Sequence, residues 1–194
     1  MNCFEEYAAG DIKLLEYHKE YGRLIKDEEK VIELFILECF QAGLSWKTIL
    51  YKRENFRSAL DNFDIYKIAK YDLDKIDELM HNKGIIRNKA KIVAMINNAK
   101  IILKIKEEYG SFSNYLWSIV DNEPVIENNE LNTLPISDDL SKELYKRGMR
   151  FVGSITLLSF LKAIGIVYPH SYDCDIFKED NAIKYLQHHY HKKV

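Results

Sequence analysis

Glu38 occupies a position where a carboxylate is expensive. On a helix turning about 100° per residue, position 38 lies about 20° from position 31. Val31, Leu34, Phe35 and Glu38 therefore share one stripe. A carboxylate on an apolar stripe is costly to bury unless it is paired or put to chemical use. A Glu at the edge of the stripe, bonded to a nearby donor, gives the same pattern. The next turn reads Gln41-Ala42-Gly43-Leu44-Ser45-Trp46. An aromatic face beside a carboxylate can stack on a nucleobase, and a small-plus-apolar turn can wedge between base steps. A Trp packed between two helices is the plainer alternative.

Two further groupings could do chemistry. Residues 82–89 read NKGIIRNK between two helical patterns. Gly84 permits positive φ and uncovered backbone N–H groups, and such groups beside a helix N-terminus hold one phosphate. Arg87, Lys89 and Lys91 add charge there, and Ile85 and Ile86 would anchor the turn. An ordinary αα-corner with a Gly has the same signature. Near the C-terminus, His170 and Cys174 are spaced as a local ligand pair. With Cys3 and His18 they would complete a tetrahedral Cys₂His₂ set, although scattered Cys and His are commonly inert.

The elements that must position these residues read as helices. Asp27 caps a helix through Gln41, and a second follows the AGLSW turn with Ile49, Leu50, Phe56 and Leu60 inward. A short helix is expected at 64–70, another from Leu73 to the NKG turn, and a long one from Ile92 to Gly110. Ser113 starts the next, which runs toward Pro124, and residues 121–134 form a loop. Ser137-Asp138-Asp139 caps a helix that stops at Gly148, and 154–164 forms the last. No strand is expected. The fold class is all-α, with about eight to ten helices and short connections.

Composition agrees. The chain has 194 residues, 47% hydrophobic and 30% charged, which excludes a disordered chain. Three Pro and eight Gly are too few for a sandwich or barrel. No apolar run reaches membrane-spanning length, and the N-terminus lacks a signal-peptide pattern. Three cysteines suggest no disulfide framework and a reducing, cytoplasmic setting. The LQHHYHKKV ending reads as a solvated helix end or a weak metal-binding tail. The net charge of −2 by itself disfavours a nucleic-acid partner. However, residues 79–106 hold seven bases and no acid, whereas 121–139 hold six acids and no base. A local grip on phosphates is compatible with that segregation.

Together these features resemble the DNA-3-methyladenine glycosylase I family. The resemblance is carried by Glu38 with the QAGLSW turn, by Lys52-Arg53-Glu54-Asn55, by Gly84-Ile85-Ile86-Arg87 followed by Lys91-Ile92, and by Lys146-Arg147-Gly148 through Phe151-Val152-Gly153-Ser154. The Tyr17-His18 pair and the His170/Cys174 spacing match as well. It spans roughly residues 1–175.

The resemblance implies a helix-hairpin-helix glycosylase-like bundle forming a single unit over 1–194. Segments 1–25 and 160–180 would make a zinc-tethered terminal lobe, around a helical core at 26–159 with its hairpin at 82–89. It implies release of 3-methyladenine from alkylated double-stranded DNA by base flipping, as the first step of base excision repair. Glu38 would be the catalytic group, and Tyr17 and Trp46 would bind the base. Gly43, Leu44, Gly84, Arg87 and Lys89 would contact DNA, and Cys3, His18, His170 and Cys174 would hold one structural Zn²⁺. A monomer is expected. A DNA-damage-binding protein without catalysis, or with altered specificity, on the same scaffold is the alternative.

Overall fold

The computed structural model describes residues 8–126, 132–170 and 174–176. Cys3 and the His-rich ending lie outside the described residues. Among the described residues the chain forms nine α-helices. They are α1 (Ile12–His18), α2 (Glu28–Gln41), α3 (Trp46–Ala59), α4 (Ile65–Ile68), α5 (Leu73–His81), α6 (Lys89–Tyr109), α7 (Phe112–Ser118), α8 (Pro135–Lys146) and α9 (Ser154–Ala163). The all-α class is as expected, and among the described residues no helix is long and apolar enough to cross a membrane.

The starts of these helices follow local chemistry. Asp27, Asp72 and Asn88 each accept a first-turn amide, from Lys30, Lys75 and Lys91. Each such cap is worth about 1 kcal/mol. Two expected starts are corrected. Ser111, not Ser113, caps α7 by accepting the Asn114 amide, and the Ser113 hydroxyl donates to the Lys26 carbonyl instead. That helix ends at Ser118, well before Pro124. Likewise α8 begins at Pro135, because Ser137 folds back to exchange hydrogen bonds with the Leu134 backbone. The expected loop after α7 contains a two-residue strand. Val125–Ile126 pairs in parallel with Val167–Tyr168, a pairing too short to leave a sequence period.

Helix α2 is the axis of the core. Every residue from Val31 to Phe40 is buried, beneath α3, α6, α7 and α9. Phe35 meets Phe112 and Phe160 edge-on, with centroids at 5.2 and 5.3 Å. Its N-terminal turn is pinned by Glu28, which accepts the Phe112 and Ser113 amides and the Lys106 ammonium.

The segment after α1 crosses the segment after α9 at two glycines. Gly22 donates to the Ala163 carbonyl, and Ile25 to that of Ile164. Both glycines have positive φ, +71° at Gly22 and +79° at Gly165. A Cβ on Gly165 would lie 2.5 Å from the Arg23 carbonyl oxygen. The crossing seats His18 and His170 side by side, their rings 5.1 Å apart.

Candidate base pocket and metal centre

Two buried carboxylates on α2 have opposite surroundings. Glu33 accepts from the Arg53 and Arg57 guanidiniums at 2.7 Å each, and Lys30 lies 3.5 Å away. Arg53 also bonds Glu20. Glu38, five residues on, is 3% exposed and its Oε2 has no hydrogen-bond partner. Burial alone pushes its carboxyl up to about 8. No cation offsets the desolvation, so the site suits a ligand that brings its own positive charge and N–H groups.

Of the aromatics expected beside Glu38, Tyr17 lies within electrostatic reach of its carboxylate. Trp46 opens α3, capped by Ser45, and is buried with its indole Nε1 unpartnered. Tyr17 from α1 packs on it, with centroids at 5.0 Å and planes at 43°. Burial, followed by the Glu38 carboxylate, pushes the Tyr17 hydroxyl well up, so it stays protonated. Glu38 Oε2 is an orphaned acceptor and Trp46 Nε1 an orphaned donor, groups that a heterocycle offering both could satisfy. Leaving such groups unmet costs about 1–3 kcal/mol each, a cost a bound base would remove.

Between Glu38 and Trp46 the chain turns outward. Gly43 has φ +80° with open space around it, and Leu44 beside it is 40% exposed. A large apolar side chain held at the tip of a turn, one helical turn from the pocket, is suited to wedging. Gly43→Ala should cost about 1 kcal/mol through backbone strain without a clash, measured as a small loss in thermal stability.

The hairpin differs in detail from its sequence reading. Gly84 is absent from the positive-φ residues. It is glycine because the chain approaches closely: a Cβ would sit 2.9 Å from Asn82 Oδ1 and 3.1 Å from Asn55 Cβ. Its amide donates to Asn82 Oδ1 and is not open. Its carbonyl accepts from Lys52 and Asn55, and Lys52 also reaches the Lys83 carbonyl. The charge reading is corrected too. Lys91 is buried, donating to the Phe40 and Ala42 carbonyls, and Lys106 pairs with Glu28. Lys52, Arg53 and Arg57 serve internal contacts. Lys83, Arg87 and Lys89 remain exposed. Beside them a groove runs between the start of α6 and the 148–151 turn, lined by Lys89, Asn97, Tyr145, Arg150 and Phe151.

The ligand atoms of His18, His170 and Cys174 all lie within 4.8 Å of one another and are buried. Cys174 Sγ is 3.4 Å from His18 Nε2 and 3.6 Å from His170 Nδ1. A tetrahedral zinc with Zn–S of about 2.3 Å and Zn–N of about 2.0 Å requires N···S edges of about 3.5 Å. His170 Nε2 lies 2.7 Å from the Tyr21 carbonyl, which fixes the ring by its far nitrogen, as metal-binding imidazoles require. The triad fits a metal, and the fourth expected ligand, Cys3, lies outside the described residues.

The helical scaffold thus carries a buried carboxylate at Glu38, within electrostatic reach of Tyr17, which packs on Trp46. The methyladenine glycosylase family model matches residues 7–178. The DNA-3-methyladenine glycosylase of Haemophilus influenzae is 41% identical over 166 residues, covering 82% of this chain and 90% of that protein. DNA-3-methyladenine glycosylase 1 of Escherichia coli strain K12 is 38% identical over 174 residues, covering 87% and 93%. Among solved structures, 3-methyladenine DNA glycosylase I from Staphylococcus aureus, described for its recognition of 3-methyladenine, superposes with a TM-score of 0.85. It is 35% identical, and the match covers 90% of this chain and 96% of that one. The chain belongs to the methyladenine glycosylase family.

Proposed function

We propose that this protein is a DNA glycosylase that hydrolyses the N-glycosidic bond of 3-methyladenine in alkylated duplex DNA. The observation that carries the reading is Glu38, buried with its Oε2 unpartnered and within electrostatic reach of Tyr17, which packs on Trp46. Leu44 fills the gap as the damaged nucleotide swings out. Trp46 stacks on the base, Tyr17 walls the pocket, and Glu38 as carboxylate accepts the N–H groups on the polar edge of the base.

The substrate base is already cationic. As the bond from the base nitrogen to C1′ breaks, its electron pair neutralises the ring, and 3-methyladenine leaves uncharged. Water adds to C1′ and loses its proton to solvent. Such a leaving group needs no proton from the enzyme. The first five turns of α6, residues 89–106, accordingly carry no Asp or Glu. Glu38 holds the positive charge in place and complements it where the transition state shares it with the sugar. The test is incubation with methylated DNA, followed by chromatography for the free base; no 3-methyladenine release would end the assignment.

Gly43, Leu44, Gly84, Arg87 and Lys89 form the DNA-facing set in this reading, and the chain acts as one unit and as a monomer. The terminal triad holds one structural Zn²⁺, with Cys3 as fourth ligand. Bound there, the ion supplies a cross-link and no chemistry. Elemental analysis should find one zinc per chain. A strong chelator should lower Tm by more than 10 °C, since structural zinc sites contribute on the order of 10 kcal/mol to small domains.

A further inference from the structure

Lys91 is the one buried lysine among the described residues, 7% exposed, and it pairs with no carboxylate. It stands in the first turn of α6, directly after the hairpin. Its ammonium donates to the Phe40 carbonyl at 2.8 Å and the Ala42 carbonyl at 2.6 Å. These belong to the last turn and cap of α2, where carbonyls lack intrahelical partners. Between them, the Gln41 carbonyl accepts the Leu44 amide at 2.6 Å. Three successive carbonyls after Glu38 are therefore satisfied, and two of the three depend on one side chain. The same ammonium lies 5.8 Å from the Phe151 ring centroid. The turn bearing Phe151 is itself bolted to α6 by paired hydrogen bonds between Asn98 and the Arg150 backbone.

The contacts close a circuit. The hairpin carbonyls of Lys83 and Gly84 are held by Lys52 and Asn55 of α3. Helix α3 starts at Trp46, and the 42–45 turn joins it to α2. Lys91 joins that turn back to α6 and so to the hairpin. Phosphate contact at 84–89 and insertion of Leu44 thus act on the two ends of one short, hydrogen-bonded loop.

On the glycosylase reading above, we propose that Lys91 is a positioning residue that couples the hairpin's grip on the backbone to the wedge turn, so that the nucleotide is driven out of the duplex into the Glu38 pocket. The pocket does not need Lys91 to hold a base; extrusion from the helix does. Misplacement of a working group by an ångström can cost about 100-fold in rate, and loss of the Lys91 bonds frees the turn by that order.

The test compares Lys91→Met and Lys91→Gln with the parent protein in two measurements. One is single-turnover release of 3-methyladenine from methylated duplex DNA. The other is the Kd for free 3-methyladenine, read by Trp fluorescence. Release should fall about 10- to 100-fold in the Met variant, and less in the Gln variant, which keeps one donor. The free-base Kd should stay within about threefold of the parent value, because no Lys91 bond reaches the Glu38 pocket. Equal losses in both measurements would make Lys91 a mere prop of the pocket and overturn the proposal. Unchanged release would also overturn it. Gln keeps the chain length and one hydrogen bond, so it serves if the Met variant does not fold. A parent protein that binds the free base yet releases none from DNA would overturn the glycosylase reading itself.

Discussion

Glu38→Gln should abolish base release and at the same time make the protein more stable. The loss of release follows from charge: a neutral amide neither complements a cationic base nor offers two acceptors. We expect at least a 100-fold fall in single-turnover rate, on the scale of removing one preorganised electrostatic group. The gain in stability follows from the same burial. The folded carboxyl titrates near 8, against an ordinary 4.5. Between those values the folded state holds a proton that the unfolded state has lost, so stability falls as pH rises from 4.5 to 8 and levels off above. Gln removes that slope. The variant and its parent should have equal Tm near pH 4.5 and diverge as pH rises. The gap above pH 8 is at most about 5 kcal/mol from 1.36 kcal/mol per unit. Thermal melts across pH 4.5–8.5 measure it; a variant that destabilises the fold at pH 8 would refute the account of Glu38.

Gly22→Ala should be among the most damaging single-methyl additions to the chain. The backbone there has φ +71°, which costs an L-residue about 1–2 kcal/mol. The added Cβ would lie 2.4 Å from Pro169 Cγ and 2.8 Å from His170 Nε2, and forcing such contacts costs about 1–3 kcal/mol more. A total of about 3 kcal/mol lowers Tm by roughly 6–12 °C in a chain of this size. The methyl also pushes His170 off the Tyr21 carbonyl that orients it, so bound zinc should fall below one per chain. Melting curves and metal content from the same preparation give both numbers. Gly43→Ala is the internal control: similarly positive φ, open space, and a far smaller loss.

The helices were legible because their signals are local. Asp27 declares a start within three residues, and Gly110 and Gly148 declare ends, whereas the apolar spacing alone starts α6 at Ile92, three residues after its Asn88-capped start at Lys89. Glu38 was legible because a seven-residue interval is a property of any helix. Ser111 and Ser113 stand two residues apart, and the choice between them as the cap is made by Glu28 and Lys26 from across the core. Glu33 escaped notice for a similar reason. Its neutralising arginines, Arg53 and Arg57, lie a helix away, and one-dimensional spacing does not say that α3 lies against α2. Lys91 reads in the sequence as one of the hairpin charges, since burial of a lysine against carbonyls leaves no mark in composition. The need for glycine at 22 and 165 arises where two distant segments cross, so neither sequence neighbourhood announces it.

The exposed hairpin cations, Lys83, Arg87 and Lys89, are few because so many of their neighbours are spent inside. Each phosphate neutralised contributes about 0.9 to the exponent with which binding weakens in salt. If the proposed DNA contact holds, a footing of about three phosphates would make for brief visits to undamaged DNA at cellular ionic strength. Discrimination then falls to the pocket. On the proposed function, a cationic base would stabilise the ionised Glu38 carboxylate that burial otherwise disfavours, and an uncharged adenine would not.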